Sequence, residues 1–376
     1  VAAELKVPAA KIYFPEEDIA SVLQQIAGAL RSGQLTLGPY GKELERRFAE
    51  YVGARYAIAV NSGTSAIEIP LRVLGVEGKQ VLVPTNTFFA TPAAVMHAGG
   101  RVKFVDADPD TLAIDVASLK RSITKDTVGV IAVHIGGMVT PRMPEIVKIC
   151  KDNGLFLFED AAHAHGSSLN GQMAGTFGIA AAFSFYPTKV MTSGEGGIIV
   201  TNEQRLYEDA LIYRDQGKAG FLTNFHTRLG YNWRLSEPHA IMGLSQFKRL
   251  EEFIAARNRV AGLYDAGLSE IAQVKPLAVP GECRSNYYKY VAVLDRGVDR
   301  SRVKKRLRDE FGVALSGEVY DTPCHRQPVF ETCRSEPLPK SEDMCARHIC
   351  LPVFATMTDD QAKYVLRSLS RVMKEA

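Results

Sequence analysis

Between Tyr56 and Thr201, short apolar runs alternate with longer amphipathic stretches. The runs are Tyr56–Val60, Val81–Pro84, Val102–Asp106, Val128–Val133, Leu155–Phe158, Ala181–Phe185 and Gly197–Val200. Several lack the in/out alternation of a half-exposed strand, which predicts a mostly parallel sheet covered by helices on both faces. Thr64–Leu74 and Met143–Asn153 read as two of the intervening helices, the second with apolar Ile146, Val147 and Ile149 and a stop at Gly154. This is an α/β pattern rather than separate blocks of helices and strands. Upstream, Glu17–Ser32 and Gly41–Val52 read as helices. Downstream, Ser236–Ile271 is helical, containing Gly243 and Gly262, as one bent helix or two. Tyr287–Leu294 then reads as a strand, Arg302–Phe311 as a helix, and Thr358–Glu375 as a terminal helix opened by Thr358-Asp359-Asp360. The predicted organisation is a large domain over 1–250, with an N-terminal segment 1–40, and a smaller α+β domain over 251–376.

Chemistry concentrates in two of the strands. The run Leu155–Phe158 leads into Glu159, Asp160 and His163, and 29 positions after Asp160 stands Lys189, between Tyr186-Pro187-Thr188 and Ser193-Gly194-Glu195-Gly196-Gly197. A buried strand ending in an acid, and another ending near one lysine, can hold pyridoxal phosphate (PLP). The lysine offers an amine for a Schiff base, and the acid keeps the pyridine nitrogen protonated so that the ring accepts electrons. Singly, each residue favours the plainer reading, a surface lysine after a strand and a capping aspartate, and only the pair in context points to PLP.

Other segments add to that pair. Asn61-Ser62-Gly63-Thr64-Ser65 joins the first strand to a helix, where small residues and a helix N-terminus suit a phosphate, or simply make a capped turn. Ser184 is placed to serve the same phosphate. Phe88 or Phe89, after the second strand, can lie on a cofactor ring, and His163 can reach the cofactor or be structural. Gly194–Gly197 leads into a strand rather than opening a helix, which argues against a dinucleotide-binding turn.

Composition narrows the field without adding chemistry. A net charge of +3 over 376 residues provides no basic face for nucleic acid. Cys150, Cys283, Cys324, Cys333, Cys345 and Cys350 form no CxxC pair, and Cys324-His325 with Cys333 matches no standard zinc spacing, so no metal is expected. That cysteine usage fits a reducing cytoplasm. No run approaches a membrane span, and Val1–Phe14 lacks the unbroken apolar core of a signal peptide.

Together these blocks resemble the DegT/DnrJ/EryC1/StrS family of PLP-dependent sugar aminotransferases, which have the aspartate-aminotransferase fold (fold type I). The likeness begins at Gly33-Gln34-Leu35-Thr36-Leu37-Gly38-Pro39. It continues through the Ser-Gly-Thr turn, Glu159–Gly166 and the Phe-Ser-Phe…Lys…Gly-Glu-Gly-Gly block, then Gly230–Glu237, and ends at Leu351-Pro352 with Met357-Thr358-Asp359. The resemblance implies Lys189 as the Schiff-base lysine and Asp160 as the pyridinium partner. It places Gly63, Thr64, Ser65 and Ser184 at the phosphate, Phe88 on the ring and His163 beside it. Asn232 would reach the neighbouring subunit's cofactor phosphate, making a homodimer with shared sites, and Tyr231 and His325 would contact substrate. The implied reaction moves an amine from glutamate or glutamine to a nucleotide-linked keto-sugar, C4 of a dTDP-4-keto-6-deoxyhexose being preferred over C3 or a keto-cyclitol. That places it in deoxyaminosugar biosynthesis, for a glycosylated natural product such as an antibiotic or for a surface polysaccharide. A PLP dehydratase and a non-catalytic sugar-nucleotide sensor are the alternatives. Asn286–Tyr290 and Glu318–His325 depart from the usual family pattern, and both segments are expected at the sugar nucleotide.

Overall fold

The computed structural model describes residues 6–220, 224–333 and 336–374. Seven strands form the central sheet. In spatial order they are Tyr56–Val60, Gly197–Thr201, Ala180–Ser184, Phe156–Asp160, Thr127–Val133, Gln80–Pro84 and Arg101–Val105. The last five are mutually parallel, and Gly197–Thr201 runs antiparallel to both of its neighbours. The expected mostly parallel sheet is therefore present, with one reversed strand. That reversal follows from the short link 185–196, which has no crossover helix to carry the chain back to the sheet's starting edge.

Both faces of the sheet are buried, which explains the continuous apolar runs. Ala57, Ala59, Leu157, Ala181, Phe183, Ile198 and Val200 point into one core, against helices Pro39–Val52 and Met143–Asp152. Their strand neighbours Ile58, Val60, Phe158, Ala180, Ala182 and Ile199 point into the other, against Gly63–Val73, Ala90–His97 and Gln204–Arg214. A third core lies around a small antiparallel sheet, Val274–Pro276, Tyr290–Leu294 and His348–Leu351, covered by Arg300–Phe311 and Asp359–Met373. Val7 packs into this core from the other end of the chain.

Two expected elements are adjusted. The 236–271 region is two helices, Glu237–Lys248 and Leu250–Leu268, and the break falls at Arg249 rather than at either glycine. Arg249 turns its guanidinium to Asp18, at 2.8 Å, and to Glu17, at 2.6 Å, on the first helix of the chain. Leu250–Leu268 then spans two cores, with Phe253 and Ile254 in the first and Val260 to Leu268 in the third. The strand expected from Tyr287 starts at Tyr290, because Tyr287 adopts φ +46° and the buried Asn286 amide donates to the carbonyls of His163 and His165. Thr358 caps the terminal helix in a capping box with Gln361. Its expected last residue, Glu375, and Val1–Leu5 lie outside the described residues.

Candidate active site

The C-terminal ends of the parallel strands, where loops diverge from the sheet, surround a cavity of about 440 Å³. Asp160 ends its strand there, and the parallel register pairs it with Ala182, two residues before Ser184. Strand alternation then separates the two acids. Glu159 points to the opposite face, where its carboxylate accepts from the Gly175, Phe177 and Gly178 N–H groups and meets His134 Nε2 at 2.8 Å. Asp160 faces the cavity. Thr91 Oγ1 donates to Asp160 Oδ2 at 2.6 Å and the Ala162 N–H donates to Oδ1 at 3.1 Å, so the carboxylate is aimed by two donors.

Lys189 stands at the tip of the 185–196 link. That link is closed at its base by Phe185 N–H to Gly196 O at 2.9 Å and Ser193 N–H to Phe185 O at 3.0 Å. Gly197 is required beneath it, since a Cβ there would overlap the Ser62 carbonyl. This contact locks the lysine loop onto the Ser62–Gly63 turn. Lys189 Nζ has no hydrogen-bond or ion-pair partner among the described residues and lies 4.8 Å from the centre of the Tyr288 ring. Burial pushes its amine down to about 8, against the pull of Asp160 and with the help of Lys289.

The Ser62–Gly63 turn opens helix Gly63–Val73 toward the same cavity, with Ser62, Gly63 and Thr64 on its wall. A Cβ on Gly63 would come within 2.8 Å of Ser184 Cβ, so glycine brings the turn and the Ser184 strand end together. Ser65 is turned away. Its hydroxyl donates to Asn61 Oδ1 at 2.8 Å and its N–H donates to the Ser62 hydroxyl at 3.1 Å, so Ser62 holds the wall position expected of Ser65. Phe88 lines the cavity and Phe89 packs near Phe330 instead, which separates the two aromatic candidates. His163 also lines it, stacked on Tyr288 at 4.2 Å between ring centres, with Nδ1 buried and without a partner. Burial and the two nearby lysines hold its imidazole well below the usual range, and so neutral.

Besides Ser65, three expected residues lie outside this cavity. His325 has both ring nitrogens engaged, Nδ1 with Thr85 Oγ1 at 2.8 Å and Nε2 with Glu342 at 2.9 Å, and it ties the C-terminal region to the end of strand Gln80–Pro84. Tyr231 stacks on Trp233 at 4.0 Å and accepts from Arg72 at 2.8 Å. Asn232 is exposed and bridges to Asp215, and Leu229, three residues before it, is 93% exposed. Sequence reasoning did not single out Ser62, Thr91 or Tyr320. It named 286–290 and 318–325 only as segments, from which Tyr288, Lys289, Glu318 and Tyr320 reach the cavity wall.

An unpartnered amine near pH 8, a carboxylate held by two donors, an unpartnered imidazole nitrogen and a helix N-terminus with a glycine at its mouth all meet in one cavity. Those groups fit PLP: an aldehyde for the amine, a ring nitrogen for Asp160, a phosphate for the turn. The comparisons agree. The DegT/DnrJ/EryC1/StrS aminotransferase family matches residues 16–370. GDP-perosamine synthase of Escherichia coli O157:H7 is 32% identical over 337 residues, covering 89% of this chain and 90% of that one. The UDP-N-acetyl-3-dehydro-α-D-glucosamine 3-aminotransferase of Acidithiobacillus ferrooxidans is 32% identical over 354 residues, 94% of each chain. Among solved structures, DesI in the presence of its TDP-sugar product superposes with a TM-score of 0.91 at 27% identity, covering 99% of this chain and 94% of that one. The chain thus belongs to the DegT/DnrJ/EryC1/StrS aminotransferase family and is a PLP-dependent transaminase of fold type I.

Proposed function

We propose that this enzyme moves the amino group of glutamate or glutamine to the ketone of a nucleotide-linked sugar, with C4 of a dTDP-4-keto-6-deoxyhexose as the preferred acceptor. The observation that carries the reading is Lys189, an amine lowered to about 8, in one cavity with the aimed carboxylate of Asp160. Bound PLP supplies an aldehyde that takes the amine and a ring that accepts the electrons released at the donor's Cα. Lys189 Nζ, with an amine lowered to about 8, would be able to take the donor's Cα proton as a neutral base. Asp160 would accept the ring N–H. The N–H groups of Gly63 and Thr64, with the hydroxyls of Ser62, Thr64 and Ser184, would hold the phosphate, and Phe88 would cover the ring. Asn232 and Tyr231, outside the cavity of their own chain, are proposed to complete the site of a second copy.

The relatives support a nucleotide sugar as the substrate class, since their names carry GDP, UDP and TDP sugars. Amination at C3 is the second reading, favoured by the 3-aminotransferase among them. The test incubates the purified protein with glutamate or glutamine and a panel of 3-keto and 4-keto sugar nucleotides, with mass detection and NMR assignment of the new amine. Amination of the dTDP-4-keto-6-deoxyhexose at C4 is expected. Amination only at C3 replaces the preferred acceptor, and no amination of any keto-sugar nucleotide overturns the reading.

A further inference from the structure

Tyr288 stacks on His163 and carries two ammonium groups near its ring, Lys189 Nζ at 4.8 Å and Lys289 Nζ at 5.5 Å from the centre. Sharing one ring, the two nitrogens lie no more than about 10 Å apart. Lys289 lines the cavity beside Lys189 and is half-buried. Its hydrogen bond goes to the Gly317 carbonyl at 3.2 Å, and among the described residues it has no ion-pair partner. The acids on the wall do not answer it. Glu318 is held by Lys304 at 2.6 Å with Arg300 at 3.7 Å, Asp160 is held by Thr91 and the Ala162 N–H, and Glu195, the third acid on the wall, makes no ion pair with Lys289. An ammonium has three donors, and this one is partly removed from water with a single carbonyl to satisfy it. Such a group is arranged to receive an anion.

We infer that Lys289 binds the side-chain carboxylate of the amino donor and makes the enzyme selective for a dicarboxylic amino acid, glutamate, over its amide, glutamine. The inference rests on the aminotransferase reading above and names the donor for it. The donor amine must come to the place that Lys189 Nζ leaves. In extended glutamate the amine nitrogen and a side-chain carboxylate oxygen are separated by roughly 5–6 Å. An ammonium–carboxylate contact adds about 2.8 Å, and the total falls inside the limit set by the shared ring. Glutamine has the same length but no charge, and half of its amide is a donor facing a donor. The other anion in the reaction is the diphosphate of the sugar nucleotide. It lies across the sugar ring from the reacting ketone, so it is the rival occupant of Lys289, and binding of dTDP is measured beside that of a dicarboxylate.

The experiment compares Lys289→Met and Lys289→Arg with the wild type in the PLP-loaded enzyme. Binding of glutarate, which carries the two carboxylates without an amine, is measured by calorimetry beside binding of dTDP. Steady-state KM values are then taken for glutamate, glutamine and the nucleotide sugar. Losing one charge-assisted contact should weaken glutarate and raise the glutamate KM roughly ten- to a hundred-fold in Lys289→Met. Values for dTDP and the nucleotide sugar should move less than about twofold, and Lys289→Arg should recover part of the loss. A lesion confined to dTDP and the nucleotide sugar, or an unchanged affinity for glutarate, would overturn the inference. So would a wild type that prefers glutamine, which leaves the aminotransferase reading standing. If no donor serves the wild type, that reading fails, and the glutarate measurement still decides the role of Lys289.

Discussion

The amine of Lys189 offers the most direct test of the site, because its lowered pKa can be read without cofactor or substrate. Burial is its largest cause, Asp160 opposes it and Lys289 adds to it, and the result is about 8 against an ordinary 10.5. At pH 7.5 that difference raises the neutral fraction from roughly 0.1% to roughly a quarter, about two hundred-fold more of the reactive form. The same shift has a sign for stability. The unfolded chain holds the lysine proton up to about pH 10.5, while the folded chain releases it near 8. Between those values the unfolded state binds more protons, so stability rises with pH across that window. Below about pH 8 the charged amine costs the fold up to about 3 kcal/mol, and Lys189→Met should recover much of this in the apoenzyme. The assay is competitive labelling with a trace of amine-directed reagent, read by mass spectrometry across pH 6 to 11. Lys189 should label with a midpoint near 8, well below the exposed lysines. Lys289→Met should move that midpoint up and Asp160→Asn should move it down. A midpoint near 10.5, or the opposite order in the two variants, would refute the account of how this cavity tunes its amine.

Three further outcomes follow from the geometry. Asp160→Asn should keep PLP yet slow proton removal from glutamate by several orders of magnitude in stopped flow, since the ring nitrogen loses the carboxylate that keeps it protonated; an unchanged rate would remove Asp160 from that role. Gly63→Ala places a Cβ 2.8 Å from Ser184 Cβ, so the turn must move away from the cavity at a cost of about 1–3 kcal/mol. It should lose PLP on dialysis while the apoenzyme stays folded, and wild-type retention would show that the turn does not hold the phosphate. Asn232→Ala paired with Lys189→Ala in a mixed dimer puts both lesions in one site if Asn232 acts across the interface. Activity near half of wild type is then expected, whereas activity no better than the Asn232→Ala homodimer would confine Asn232 to its own chain.

The linear pattern determined what is local. Runs buried on both faces became the strands of the central sheet, the Ser-Gly-Thr turn opened a helix, and Thr358 capped the last one, because each depends on neighbours within a few residues. Asp160 and Lys189 were legible as a pair for a similar reason: each ends or follows a buried strand, and those strands are adjacent in the sheet. Only the tertiary structure decided the rest. One residue of strand register sends Asp160 to the cavity and Glu159 to a nest of backbone N–H groups, although both acids look alike in sequence. His325, expected at the substrate, spends its ring on Thr85 and Glu342, 240 and 17 positions away, a pairing that no local spacing encodes. Tyr288 and Lys289 reach the cavity because Tyr287 takes a left-handed turn and Asn286 is bonded to the backbone of 163 and 165. These side chains lie about a hundred residues from Lys189, and only the packing of the small sheet's leading turn against the large one brings Lys189 and Lys289 to the same Tyr288 ring.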